Sequence, residues 1–484
     1  MQIEGHELEP LKPIDLPNCH TVADMLNGYY YSCGRARELG EVARTLAELC
    51  RSANKPYIIF GGRRDSCLGK VLSEMVERNW FQKILMPYEY RHHSYGGENV
   101  LIVDNFYGSD EDALYKKPKR SIFILPDYRD IPAHTGEGYY HDAVFEDPEF
   151  VIPALYHFLK ESLAGKPTSI IDFMHDLRRF GGIAPLIPAA AENFAEMVSD
   201  PDMTIILTIT GVMTIAQFDW MICDIIERKM CHVLSCTGAL MAHGLTKSIG
   251  LSHFKHNPHL NDSVLRKHQV NRITSSYEME ESLDQVEKVE IDILDSTREK
   301  IISPSYLHEQ MGKYLAQHYQ KERGILKSAY LHNVPVFVPA FSDSEIQNNK
   351  IVHNRLRKIA GLKKIFVDEE LDVERWISVN SNSKKLGIFA IGGGPPRNTA
   401  QNTCPLIDIL NKRAGESLIP KKFSRGVRIC ADPPDLENMS TATFAECVSW
   451  GKAEPDGNFV EIRADAISTW PFIVKYAMEI TERI

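Results

Sequence analysis

The sequence predicts an α/β fold: an open, doubly wound, mostly parallel sheet with an N-terminal α/β accessory domain beside it. Three observations carry this. Short β-branched or apolar runs recur along the chain, each ending in Gly, Thr, Ser or Pro before a helix-like segment. At 484 residues the chain is too long for one average domain. Two stretches on its N-terminal side also follow one pattern at near-constant spacing.

The runs, in order, are Tyr57–Phe60 before Gly61-Gly62, Thr204–Thr210 before Gly211, and Cys231–Ser235 before Thr237-Gly238. Val334–Val338 then precedes Pro339-Ala340, and Leu386–Ile391 precedes Gly392-Gly-Gly394. Parallel strands are buried on both faces by their connecting helices, so they read as apolar runs that turn into helices. In such sheets ligands gather beyond the carboxyl ends of the strands, where these turns lie.

The two similar stretches are about 21–86 and 169–235. Ala23-Asp-Met-Leu26 parallels Ile171-Asp-Phe-Met174, and Leu46-Ala-Glu-Leu49 parallels Phe194-Ala-Glu-Met197. Val76-Glu-Arg-Asn79 with Lys83-Ile-Leu85 parallels Ile226-Glu-Arg-Lys229 with His232-Val-Leu234. The first copy lacks the later strands. Residues 1–160 therefore read as an accessory domain, a diverged partial duplication, and 161–484 as the main one. Gly96-Gly97, Gly108–Asp110, Lys116–Lys119 and Pro126–Tyr140 predict loops, and about Pro153–Glu161 a helix. Residues 255–269 and 343–350 predict surface connections.

Composition narrows the function. Net charge is −10 with both signs mixed along the chain, which argues against nucleic acid, where a basic stripe is expected. No stretch reaches the roughly 20 apolar residues that cross a bilayer. Met1–Pro17, with four carboxylates and no apolar core, does not read as a signal peptide. Ten cysteines with no CxxC pair point to a reduced, cytoplasmic protein without a metal centre.

One residue stands out for chemistry. Lys452 follows Ser449-Trp450-Gly451, itself preceded by a helix-like segment. A lysine becomes an imine-forming nucleophile where a desolvated or cation-rich pocket favours its neutral amine. Trp450 offers an apolar wall and a cation–π face, and Glu446 a carboxylate for a charged substrate end or a proton. An isolated Ser-Trp-Gly-Lys is otherwise simply a surface lysine after a turn. Gly392-Gly-Gly394 after its strand lets backbone amides approach a phosphate, although such clusters are also ordinary tight turns. Asp343 after Pro339-Ala-Phe-Ser342 suits a ribose hydroxyl, or helix capping. Thr210, Thr214 and Thr237 offer hydroxyls at two more strand ends.

Taken together and in this order, these turns resemble the deoxyhypusine synthase family from about Ser169 to Ile484. The matching segments include Val270-Asn-Arg-Ile273, Asn333-Val-Pro-Val-Phe337, Ala445-Glu-Cys-Val-Ser-Trp-Gly-Lys452, and Ala464-Asp-Ala466 before Trp470-Pro471. Gly34–Glu41 is similar to the family's early helix. The resemblance implies a Rossmann-type NAD site and a homotetramer with its sites at dimer interfaces. It implies NAD-dependent aminobutyl transfer from a polyamine such as spermidine, through an imine on Lys452, to an acceptor that is a protein lysine or a small amine. It further implies amine contacts from Glu446, Trp450, Asn398, Asn402 and Asn348. NAD contacts follow from Thr210, Thr214, Thr237, Asp343, Gly392, Gly393 and Ser440.

Departures from the family pattern bear on the substrate. Asn348 and Met439 stand where the family has acids, Asn398 where it has a histidine, and Ala431-Asp432 where it has Thr-Ala. His243 and Gly244 replace acids of eukaryotic members. Fewer carboxylates weaken attraction for a polycation. A different amine fits these changes, as does homospermidine-like small-amine synthesis or a non-catalytic regulatory homologue.

Overall fold

The computed structural model describes residues 2–87, 89, 99–103, 120–125, 140–433 and 439–482. They pack as two compact units whose segments interleave in sequence. An N-terminal unit comprises Leu16–Ala189 with Ile467–Glu479, and a C-terminal unit comprises Met1–Asp15, Ala190–Ala466 and Ile480–Ile484. The chain therefore does not divide at one point.

The N-terminal unit runs α1 (Val22–Tyr29), α2 (Gly34–Arg51), β1 (Tyr57–Phe60), α3 (Cys67–Glu77), β2 (Ile84–Leu85), β3 (Asn99–Val103), β4 (Arg120–Leu125), β5 (Tyr140–Phe145), α4 (Pro148–Ala164) and α5 (Ile170–Leu177). Its sheet has the order β2-β1-β3-β4-β5, parallel throughout. Strands β3 to β5 correct the expectation that this half lacks later strands. They are short and separated by long polar stretches, so no periodic signal connects them to β1. The loops expected at Gly96-Gly97, Gly108–Asp110, Lys116–Lys119 and 126–139 lie outside the described residues. Helix α4 extends the expected one at both ends.

In the C-terminal unit, the helix Leu186–Ser199 (α6) leads in from the other unit. Then come β6 (Met203–Ile209), α7 (Asp219–Glu227), β7 (Val233–Cys236), α8 (Gly238–Ser248), α9 (Glu280–Ser296), β8 (Val336–Phe337) and α10 (Glu345–Ile359). They are followed by β9 (Lys385–Ile391), α11 (Gly394–Arg413), β10 (Phe423–Ile429), α12 (Phe444–Ser449) and β11 (Ala453–Ile462). The six strands are all parallel in the order β8-β7-β6-β9-β10-β11. From β6 the chain winds outward one way to β8, then returns to β9 and winds the other way. This is a doubly wound sheet whose strand order reverses between β6 and β9. The central strands are almost wholly buried, with Phe194 of α6 packed edge-on against Phe389 of β9 at 4.7 Å between ring centres.

Strands β10 and β11 were not among the apolar runs. β11 is an edge strand and carries Glu454, Pro455, Asp456 and Gly457, which an edge tolerates because one side of its backbone needs no partner. The segment 343–350, expected as a connection, instead starts α10, whose cap Ser344 accepts the Gln347 amide at 3.2 Å.

The two similar stretches take matching forms. Helices α1 and α5 are each eight residues long and begin at a hydroxyl cap, Thr21 or Ser169, that accepts an aspartate amide three residues on. These caps pair with one another as an antiparallel bridge. After α3 and after α7 the chain ends its helix through a left-handed residue, Asn79 at φ 60° and Lys229 at φ 57°. In both cases the next amide closes back onto the helix, Trp80 to Met75 and Met230 to Ile225.

Glu290 of α9 is buried and bonded to the Asn349 amide of α10 at 2.7 Å. Burial pushes its carboxyl up to about 8, against the pull of Asn349. Such a group holds its proton in the fold and loses it on unfolding, so it erodes stability as pH rises from about 4.3 towards its folded value. Glu290→Gln is expected to raise the unfolding free energy at pH 8 by a few kcal/mol, roughly, and to change little near pH 4. Thermal denaturation from pH 4 to 8 checks this, and a pH-independent difference would refute it.

Candidate functional site

At the reversal of strand order the chain ends of β6 and β9 lock together. The Thr210 amide donates to Ile391 O at 2.9 Å, and its hydroxyl donates to the Gly393 carbonyl. Gly392 takes a left-handed φ of 73° and donates to Ile429 O at 2.7 Å. At Gly393 a side chain would have its Cβ 2.5 Å from the Cα of Ser440, so only glycine fits. Helix α11 starts at the next residue, and its unpaired amides and dipole face the same turn.

Neighbouring strand ends continue the row. Thr237 caps α8, accepting Leu240 N at 3.3 Å and donating to Gly211 O at 3.0 Å. Asp343 is exposed beyond β8, and Gly238 packs onto the adjacent Ser344. Thr210, Thr237, Asp343, Gly392, Gly393 and Ser440 thus all stand on the carboxyl side of the sheet. Thr214 differs. It is buried, and its hydroxyl is engaged by Leu240 O at 3.3 Å.

Lys452 is placed by a helix ending. α12 starts at Thr443, whose hydroxyl accepts the Glu446 amide at 3.1 Å. It ends with Gly451 N–H bonded to Val448 O at 3.0 Å and Lys452 N–H to Cys447 O at 2.9 Å, while Gly451 takes φ 70°. This paired closure through a left-handed glycine is the Schellman arrangement. It gives the Trp-Gly-Lys order its meaning: the glycine reverses the chain, so Trp450 and Lys452 face one cavity.

That cavity is about 620 Å³. Arg397, Asn398, Gln401 and Asn402 line it from one face of α11, and Met439, Thr441 and Ala442 from the segment before α12. Glu446, Cys447, Trp450 and Lys452 complete it. The Lys452 ammonium donates to Asn398 Oδ1 at 2.9 Å and lies 5.8 Å from the centre of the Trp450 ring. Asn348 does not line it. It is exposed on the first turn of α10, beyond the edge strand β8, whereas Lys452 abuts β11 at the opposite edge of the sheet. Arg397, Gln401, Thr441 and Cys447 were missed by sequence reading. The first two were findable, because they sit one turn apart on the helical face that carries Asn398 and Asn402.

Burial lowers the Lys452 pKa below the ordinary lysine range, and the Arg397 guanidinium adds to this. The Glu446 carboxylate pulls the other way without restoring it. Cys447 is itself held in its thiol form by burial.

A second polar cluster is fully internal. Glu278 accepts from His243 at 2.6 Å, His253 at 3.1 Å and Thr246 at 2.6 Å. Burial raises its carboxyl, but the hydrogen bonds from the two histidines outweigh this and hold it at about 2. The network ties α8 to a small antiparallel sheet of Phe254–Lys255, Val270–Ile273 and Ser276–Met279. Its members come from separate segments, which is why no local motif announced it.

The fold and this geometry define an α/β protein with a strand-end groove and a lysine-bearing cavity. A family model described as deoxyhypusine synthase matches residues 172–477, and the chain belongs to the deoxyhypusine synthase family. It is 28% identical over 319 residues to the protein named probable deoxyhypusine synthase 2 of Methanosarcina mazei, covering 66% of this chain and 89% of that one. With the protein of the same name from Archaeoglobus fulgidus identity is 26%, covering 59% and 90%. With the deoxyhypusine synthase-like protein of Coxiella burnetii it is 27%, covering 55% and 73%.

Gly451→Val places a β-branched side chain in a left-handed position and is expected to cost about 1–2 kcal/mol or more of stability. Labelling of Lys452 by an amine-reactive reagent, followed by mass spectrometry, is expected to change with it. Unaltered melting and unaltered labelling would show that the turn does not place the lysine.

Proposed function

We propose that this chain is a transferase that moves an aminoalkyl group between amines through an imine on Lys452, in the manner of deoxyhypusine synthase. The observation that carries it is a lysine of depressed pKa, bonded to Asn398 beside Trp450, in a cavity of a chain from that family. Lys452 attacks as the neutral amine, which burial and Arg397 favour. Trp450 covers the alkyl chain, and Glu446 at the exposed rim receives an ammonium end or takes its proton. Passing the fragment from amine to amine avoids a free aldehyde.

NAD suits the turns beyond β6, β7, β8 and β9. Gly393 leaves room only for bare backbone against Ser440, and three helices (α8, α10 and α11) begin along the same row. When bound, it supplies a reversible hydride acceptor. Thr237, Asp343, Gly392, Gly393 and Ser440 would hold it, with Thr210 fixing the turn.

The acceptor is a small amine or a protein lysine. Within one chain Asn348 stands at the opposite edge of the sheet from the Lys452 cavity, and the homotetramer with shared sites that the family resemblance implies would be the way to bring the two together. Matching caps and helix endings in the two stretches support an accessory N-terminal unit derived by partial duplication. Among the described residues no helix is long and apolar enough to cross a membrane.

Incubation with NAD and spermidine, then borohydride, is expected to add the mass of an aminobutyl group at Lys452, and Lys452→Arg is expected to abolish it. The trapping rate is expected to rise with pH and level off below the ordinary lysine value of about 10.4, because only the neutral amine reacts. No adduct from any common polyamine would overturn this reading.

A further inference from the structure

Lys452 and Asn398 are each held in place by their own backbones. The Lys452 amide donates to Cys447 O at 2.9 Å and its carbonyl accepts the Phe423 amide at 3.0 Å, so the lysine is fixed to α12 and to β10. Asn398 lies in the first two turns of α11. It follows Arg397, which donates to Ala442 O at 2.6 Å, and stands two residues before Ala400, which is packed in the core. From these anchors the two side chains meet, with Lys452 Nζ donating to Asn398 Oδ1 at 2.9 Å. Among the described residues this amide oxygen is the one hydrogen-bond partner of the Nζ, and no carboxylate stands within ion-pair distance of it. Glu446 lines the same cavity without pairing to the lysine.

What holds an amine decides whether it can react. An imine forms when the nitrogen lone pair attacks a carbonyl carbon. A carboxylate partner would stabilise the ammonium, in which a proton occupies that pair. A hydroxyl or an amide N–H would donate to the lone pair and occupy it instead. A neutral amide oxygen does neither. It accepts one N–H, adds no net charge, and leaves the lone pair of the neutral amine unengaged. The surroundings act in the same direction, since burial already holds the Lys452 pKa below the ordinary range.

We propose that Asn398 is the positioning residue of the nucleophile, its amide oxygen tethering Lys452 by one N–H so that the nitrogen lone pair stays available in the cavity. This reassigns Asn398 from the substrate amine to the lysine. It leaves Asn402, one turn further along the same face, as the α11 amide for the substrate. The inference rests on the amine-transfer reading for its purpose, but not for its geometry.

The test titrates Lys452 in the full-length chain, without NAD or a polyamine. Formaldehyde with cyanoborohydride methylates a lysine through its neutral amine: the lone pair attacks the aldehyde carbon, water leaves, and the reagent's hydride reduces the imine. Mass spectrometry of the Lys452 peptide across the lysine titration range gives a midpoint and a plateau rate. Peptides of exposed lysines such as Lys363 serve as reference in the same digest. Asn398→Ala removes the tether, and the Lys452 plateau rate is expected to rise several-fold towards that of the reference lysines. Asn398→Asp keeps the shape and the oxygen but adds a charge, and its midpoint is expected to lie about one pH unit or more above that of Asn398→Ala. A loosened fold would raise the midpoint equally in both variants, so the difference between them reports the contact. A plateau rate unchanged in Asn398→Ala would overturn the inference, as would a midpoint in Asn398→Asp no higher than in Asn398→Ala. Trapping with NAD and spermidine is measured alongside on the native chain. Its absence, with the two variants behaving as expected, would remove the transfer reading and leave the tether standing.

Discussion

The site depends on how closely β9 and β6 approach where the strand order reverses. Gly393 has room for a hydrogen and nothing larger against the Ser440 backbone, and Thr210 ties the same turn to its neighbour strand. This contact sets where α11 begins. Because side chains four apart share a helical face, it also sets the direction of Arg397, Asn398, Gln401 and Asn402. The same Ser440 segment runs on through Thr441 and Ala442 into α12, at whose end Lys452 stands. One tight backbone crossing thus fixes both walls of the cavity.

The lysine depends on a second constraint, independent of the first. The Schellman closure turns the chain sharply enough that Lys452 O accepts the Phe423 amide of β10 at 3.0 Å, anchoring the lysine backbone to the sheet. Its half-buried side chain then crosses to Asn398. Desolvation and the Arg397 charge act in the same direction on the amine, whereas Glu446 opposes them from the rim. The lowered pKa of the amine arises from burial first, with the neighbouring charges as a correction.

Much of this was legible in the sequence, and the pattern of success follows from physics. Central strands such as β6 and β9 are buried on both faces and announced themselves as apolar runs. Edge strand β11 is polar and broken by Pro455 and Gly457, and it did not. The strand-end turns were legible because glycine and hydroxyl residues are dictated locally by backbone geometry. Trp450 and Lys452 were legible only as a motif, since nothing in Ser-Trp-Gly-Lys alone distinguishes a cavity from a surface. Residues whose role depends on packing between distant segments were not legible. Arg397 and Cys447 meet across fifty positions, and the Glu278 network joins three elements. Thr214 shows the converse, a hydroxyl at the expected place in the chain that the fold turns inward.

The departures from the family pattern acquire a common direction once placed in the fold. His243, standing where eukaryotic members have an acid, is drawn into a buried network in which Glu278 supplies the negative charge. Its pKa is raised by that carboxylate despite burial. Met439 removes a possible acid from the cavity rim, and Arg397 leaves a cation in its wall. Each change alone would read as drift. Together they leave fewer carboxylates than the family pattern has, while Lys452, Trp450 and Gly451 still form one turn at the cavity. A site that had merely decayed would have no reason to keep a desolvated lysine, which costs stability wherever it is not used.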